Sequence, residues 1–199
     1  ATSLALLVRT SDAWLGAGSN NASLRLTHGR LDYGKQNDVG EDLLIPLSYT
    51  KINLTLQREQ LISEKFSITG AYSMQTANQN LDSSEKFYLG GSSGVRAYPA
   101  SEGGGVSGKL LSIDARLRVN PQLTLGAFYD WGGVTVNAKN DALSIASPAT
   151  LNKYALQGVG LNISYALGLR SRLTATWARR LGDSPIKNTT TGYDSDGSL

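Results

Sequence analysis

The sequence predicts an all-β protein, an antiparallel transmembrane β-barrel with about eight strands present, and three observations lead to this fold class. Apolar side chains recur at every second position along most of the 199 residues. The gaps between these alternating segments are short and long in turn. Glycine is abundant and proline scarce, 22 residues against 5, which suits strands joined by tight turns.

Eight segments carry the alternation, and the clearest runs from Leu111 to Val119, where apolar and polar side chains fall on opposite faces. A tilted membrane strand needs about 9–11 residues, which most of these segments approach or exceed. In chain order the predicted strands cover residues 1–15, 22–33, 51–57, 66–75, 111–119, 123–131, 158–167 and 172–181. In the second strand the alternation changes phase between His28 and Leu31, which predicts a β-bulge there.

The gaps between the strands favour a membrane barrel. Short gaps lie near residues 16–21, 60–64, 120–122 and 168–171, and long gaps lie near 34–45, 77–108, 137–152 and from 182 onward. Outer-membrane barrels have short periplasmic turns and longer extracellular loops, so this order is typical of them. Because lipid offers the backbone no hydrogen-bond partner, strands cross it only as a closed barrel. A soluble β-sandwich is the alternative fold.

The composition excludes several other classes of protein. No run of about 18 apolar residues is present, so no membrane-spanning helix is predicted. The chain has no cysteine and a single histidine, His28, so disulfide scaffolds, thiol catalysis and zinc ribbons are excluded and no metal site is predicted. The net charge of +3 comes without a dense basic run, so no nucleic-acid partner is expected.

Two glycine-rich stretches resemble catalytic motifs without meeting their requirements. Gly103 to Leu110 nearly matches a phosphate-binding loop, but Leu110 replaces the hydroxyl that would hold magnesium, and a strand follows instead of a helix. Gly90 to Gly94 matches the nucleophile elbow G-x-S-x-G without its strand-turn-helix context. We therefore predict no catalytic residues, no cofactor and no bound nucleotide.

The long gap from Gln75 to Lys109 needs a function of its own, because loops of this length are uncommon in compact domains. Residues 87–98 read F-Y-L-G-G-S-S-G-V-R-A-Y. This stretch resembles the signature loop of the two-partner secretion transporters, which export hemolysins and filamentous hemagglutinin, with its pattern F-x-L-G-G-x-x-x-V-R-G-Y. The matching residues are Phe87, Leu89, Gly90, Gly91, Val95, Arg96 and Tyr98. Ala97 replaces the usual glycine, which bears on the local backbone because alanine tolerates positive φ poorly.

A second motif resembles the same family. Gly126, Phe128 and Asp130 form G-x-F-x-D, similar to a motif on an inner-wall strand of these transporters. The resemblance implies that the loop at 79–108 folds into the lumen of a barrel of about sixteen strands. It also implies that Arg96 pairs with Asp130, with Asp114 as a possible second partner. The alternation independently assigns both aspartates to the polar face.

The resemblance implies a transporter of the bacterial outer membrane that exports an unfolded exoprotein, of hemolysin or adhesin type, through a loop-gated pore. Its expected partners are that exoprotein and the lipid membrane. Residues 1–199 would then be the C-terminal part of the barrel domain, with N-terminal periplasmic domains and the last strand absent. A related insertase that assembles other outer-membrane proteins remains an alternative, as does a passive porin or small structural barrel.

Overall fold

The computed structural model describes residues 1–30, 48–100, 102–139, 152–168 and 170–182. The predicted long gap at 34–45, most of the one at 137–152 and nearly all of the segment from 182 onward lie outside these residues. The described part contains eight strands and one short 3-10 helix at Ser83–Glu85. The strands are β1 Thr2–Asp12, β2 Ala17–Arg30, β3 Ser48–Leu61, β4 Phe66–Ala77, β5 Ser107–Arg118, β6 Leu123–Thr135, β7 Lys153–Ala166 and β8 Arg172–Arg180.

All eight strands form one antiparallel sheet in which neighbours in sequence are neighbours in space. The order runs from β1 to β8 without a crossover, and these two strands form the edges. The predicted all-β, antiparallel fold class is therefore confirmed, as one open sheet of eight strands. Within the described ranges, no helix has the length and apolar composition needed to cross a membrane.

The two faces of the sheet differ in the way the alternation predicts. Register places Leu6, Leu24, Leu54 and Met74 side by side on one face, across β1 to β4. This outer face is apolar and open: Leu4 is 76% exposed and other leucines along the sheet are comparably exposed. Its apolar rows do not pack into a dry interior, so they are available to face hydrocarbon.

The opposite, inner face is polar, and the described part of the segment between β4 and β5 packs against it. Its apolar side chains enter two buried clusters with residues of the sheet. The larger cluster contains Leu89, Val95 and Tyr98 from this β4–β5 loop and Leu110, Val134 and Leu156 from the strands. The smaller one joins Leu81 and Val106 to Tyr49 of β3.

Two details of β2 differ from the sequence prediction. The first turn occupies residues 13–16, because β2 begins at Ala17, whereas the sequence placed the gap at 16–21. The polar residue Asn20 lies within the strand, where its side chain bonds to Asp12 and Arg58 on neighbouring strands. The predicted bulge is also wrong over 28–30, where pairing with β3 continues one to one; Leu31 lies outside the described residues.

Candidate functional site

Arg96 lies at the centre of an ionic cluster between the β4–β5 loop and the inner face. Its Nε and Nη2 donate to the two carboxylate oxygens of Asp130 on β6, at 2.8 and 2.7 Å. Its Nη1 and Nη2 donate to the two oxygens of Asp114 on β5, at 2.8 and 3.2 Å. One planar guanidinium thus makes a bidentate contact with each carboxylate, the geometry that gives arginine its strongest and most specific ion pairs.

Asp130 is the most deeply placed member of this cluster, with its side chain fully buried. Besides Arg96, it accepts a hydrogen bond from Ser112 Oγ at 2.6 Å and one from the backbone N–H of Arg96 at 3.0 Å. A buried carboxylate is stable only when charge and hydrogen bonds replace the water it has lost. The structure supplies both, and the loop provides the charge.

The face of the Arg96 guanidinium is also covered. Its Cζ lies 3.5 Å from the ring centroid of Phe128, a cation–π contact that strengthens when water is excluded. Phe128 is buried and pairs in register with Asp114 on the neighbouring strand. The motif G-x-F-x-D therefore places its aromatic ring and its carboxylate on one face, two residues apart, where both contact the same arginine.

Glycines of β6 and β7 make room for the loop on the inner face. A Cβ on Gly132 would lie 2.7 Å from Leu89 Cδ2, and one on Gly158 would lie 2.9 Å from Ala97 Cβ. Both positions are therefore close approaches between the loop and the sheet. Gly126 has a different neighbour, because a Cβ there would meet the side chain of Asn162.

The signature residues before Arg96 form a compact turn. The N–H of Gly91 donates to the Tyr98 carbonyl at 2.9 Å, and the N–H of Val95 donates to the Leu89 carbonyl at 2.6 Å. Gly91 has φ +92°, a conformation that favours glycine, and a Cβ on Gly90 would collide with the Pro99 carbonyl. Both glycines of the motif are thus required by the backbone itself.

Ala97 does not strain the loop, although the usual family residue at this position is glycine. Among the described non-glycine residues only Leu15 has a positive φ, so the backbone at Ala97 is one that alanine adopts readily. The methyl group faces Gly158 of β7, which has no side chain to clash with it. The substitution is therefore accommodated by space on the sheet.

The structure brings further residues to the site that the sequence reasoning did not name. Ser112 donates to Asp130 and accepts from Arg96 Nη2 at 3.0 Å. Because β5 and β6 are joined by a short turn, simple counting outward from that turn pairs Ser112 with Asp130, a signal that was available. Arg180 on β8 lies 4.8 Å from the Tyr98 ring centroid, and its Nε donates to the Ala97 carbonyl at 3.3 Å.

A second contact holds the loop near its start. Lys51 Nζ lies 2.7 Å from Glu85 Oε2 and donates to the Glu85 carbonyl at 3.1 Å. Gln75, which is buried on β4, donates to the same carbonyl and to the Val106 carbonyl. The hydrogen bond from Lys51 holds the pKa of Glu85 below its usual range, against the burial that would raise it.

The chemistry of this site is therefore that of an ionic clamp between a loop and a sheet. Across the described ranges, no group of three or more His, Cys, Asp or Glu side chains is arranged to hold a metal ion. Both acidic side chains of the cluster accept hydrogen bonds from Arg96, and Ser112 donates its one hydroxyl proton to Asp130 at 2.6 Å. Such an arrangement fixes the position of the loop on the inner face.

An up-and-down antiparallel sheet with an apolar outer face, a polar inner face and a loop held on that inner face defines part of an outer-membrane β-barrel. A family model described as haemolysin secretion/activation protein ShlB/FhaC/HecB matches residues 2–170. The chain belongs to this family, whose members are transporters of the outer membrane of Gram-negative bacteria.

Curated relatives agree with that family. The chain is 29% identical over 136 residues to the heme/hemopexin transporter protein HuxB of Haemophilus influenzae strain 86-028NP, covering 66% of this chain and 24% of that protein. It is 31% identical over 134 residues to the HuxB protein of strain ATCC 51907 / DSM 11121 / KW20 / Rd, covering 65% of this chain and 23% of the relative. The chain thus spans about a quarter of the length of these relatives, as the 24% coverage shows.

Proposed function

We propose that the chain is the loop-bearing part of a two-partner secretion transporter, which exports an exoprotein in unfolded form across the outer membrane. The observation that carries this proposal is the buried clamp from Arg96 to Asp130 and Asp114. A long loop that is held against the inner face by a desolvated ion pair suits a protein-conducting pore, because such a pore needs a plug that can be released.

The proposed mechanism uses no nucleotide, cofactor or covalent step. Residues 79–108 occupy the lumen of a barrel of about sixteen strands and block it while Arg96 is paired. A passing polypeptide displaces the loop, and the pore closes again when Arg96 re-forms its ion pairs with Asp130 and Asp114.

The cargo belongs to the same proposal. The family description names haemolysin secretion, and the matched relatives are named heme/hemopexin transporters. We therefore propose a large secreted exoprotein, of hemolysin, adhesin or heme-carrier type, as the partner of this transporter.

The test is the Arg96→Ala variant of the full-length protein, expressed with its exoprotein. We expect secretion into the medium to fall several-fold while heat-modifiable migration of the barrel on gels stays normal. Arg116→Ala is the matched control, since it removes an inner-face arginine outside the clamp. Undiminished secretion by Arg96→Ala would overturn the assigned role.

The same variants distinguish the alternatives. A passive porin would show steady ion conductance that does not respond to the loss of Arg96. An insertase would leave secretion unchanged and would instead lower the amount of other outer-membrane proteins that reach the folded state. Either result would replace the export hypothesis with a specific competitor.

A further inference from the structure

The outer face carries a groove that plays no part in the loop clamp. Its volume is about 660 Å³, and it lies across β4 to β7, near the ends of these strands from which the long loops leave. Met74, Lys109, Trp131, Gly133, Lys153 and Ala155 are among the residues that line it. This volume is within the range of about 300–1,000 Å³ found for sites that bind small ligands.

Small residues in one row of the sheet create the groove. Register aligns Met74, Lys109, Gly133 and Ala155 side by side on the outer face. Gly133 has no side chain at the middle of this row, and Trp131 lies two positions along the same strand. A Cβ on Gly133 would lie 3.4 Å from the Trp131 ring, so a small group fits beside the indole and a longer side chain would fill the groove.

Two lysine ammonium groups border this apolar floor. Lys109 on β5 pairs with Gly133 of β6, and Lys153 on β7 pairs with Thr135 of β6. Two strand spacings and two residues along the strand separate their Cα atoms by about 12 Å. Both are exposed, and among the described residues neither forms an ion pair with a carboxylate. Cations in this position attract an anionic group that lies at the membrane surface.

The position of the groove in the membrane selects its ligand. Long loops of outer-membrane barrels are extracellular, so this end of the strands lies in the outer leaflet. An apolar floor facing hydrocarbon binds an acyl chain, and two cations at its rim bind a phosphate head group. We propose that this groove is a binding site for a phosphorylated lipid of the outer leaflet, with its phosphate between Lys109 and Lys153 and an acyl chain along Met74 and Trp131.

The test is native mass spectrometry of the full-length protein in detergent, titrated with lipid A as the probe. The double variant Lys109→Gln/Lys153→Gln should bind about 30-fold more weakly, since each lysine near a lipid surface contributes about 1 kcal/mol and 1.4 kcal/mol is a factor of about ten. Gly133→Leu should also weaken binding while leaving both charges in place. Lys65→Gln, in the short turn at the other end of the sheet, is the matched control and should bind normally.

Three results separate the possible outcomes. Lipid binding by Lys109→Arg/Lys153→Arg at the parent level supports a charge-based site. If the glutamine variant folds poorly, the arginine variant still tests the role of charge, because it keeps both cations. Equal binding of lipid A and its dephosphorylated form would overturn the proposal. Competition by millimolar inorganic phosphate alone would also overturn it, because it would identify a phosphate site that does not need the lipid.

Discussion

Loss of the Arg96 guanidinium should release the β4–β5 loop from the inner face. In the structure this group satisfies Asp130, whose side chain is fully buried, and Asp114, whose side chain is 15% exposed. Removing one partner of such a pair leaves a desolvated charge without compensation, which costs about 3–5 kcal/mol. Even the lower figure corresponds to a change of more than about 100-fold in the closed-to-released equilibrium.

Val95 offers a direct measure of that equilibrium. Its side chain is fully buried between the closed loop and the sheet, and the chain has no natural cysteine. Val95→Cys therefore introduces a thiol that reacts only when the loop leaves the sheet. We expect its rate of labelling by a maleimide to rise more than about 100-fold in the Arg96→Ala background. In the Arg116→Ala background, which leaves the clamp intact, the rate should stay at the parent value.

A second change in the same protein isolates the electrostatic cause. Asp130→Asn removes the charge that Arg96→Ala leaves uncompensated, so the double variant should label more slowly than Arg96→Ala alone. Labelling of Val95→Cys at the parent rate in Arg96→Ala would refute the reasoning, because the loop would then be held by its apolar contacts without the clamp.

Three further predictions concern the space between the loop and β7, the pH dependence of the loop's stability, and the lipid-facing row of the sheet. Gly158→Ala brings a methyl group within 2.9 Å of Ala97, so it should destabilise the closed loop by about 1–3 kcal/mol, and Ala97→Gly in the same chain should reverse the effect when loop protection is measured by hydrogen exchange. Because Lys51 lowers the pKa of Glu85, their ion pair stabilises the loop at pH values above the ordinary glutamate pKa of about 4.3, and this contribution is lost as the pH falls. The protection of the loop from hydrogen exchange should therefore decrease at low pH, and Glu85→Gln should lack this pH dependence. Leu161→Arg, on the lipid-facing row, should impair barrel assembly on gels, whereas Thr176→Arg on the polar face should be tolerated.

The sheet could be predicted from sequence because lipid and water act on opposite faces of every strand. That difference imposes the period of two, so strand number, order and facing residues follow from hydropathy alone. Strand ends do not follow in the same way. At the start of β2 the outward-facing Asn20 bonds to Asp12 and Arg58, and a polar strand end that satisfies its own side chains resembles a turn in sequence.

The residues of the site also differ in whether the sequence predicts them. The resemblance named Arg96, Asp130 and Asp114, and counting along one hairpin would have added Ser112. Arg180 carries no such signal, because its contact with Ala97 joins residues 83 positions apart. That contact depends on the path of a loop across strands β5 to β8, which no local pattern in the sequence records.

The two ionic attachments of the loop differ in burial, and this difference predicts which part of the loop moves. The ion pair near its start is partly exposed, with Glu85 at 30%, and such pairs contribute little. Further along, Phe87 and Gly105 exchange two backbone hydrogen bonds, of 2.7 and 2.9 Å, which close the loop tip into a unit of its own. We therefore expect the tip to move as one body about this bridge when Arg96 is released, while the strands on either side stay folded. If the chain has the proposed function, release of this buried guanidinium is the step that frees the tip, and the apolar cluster of Leu89, Val95 and Tyr98 must then separate from the sheet.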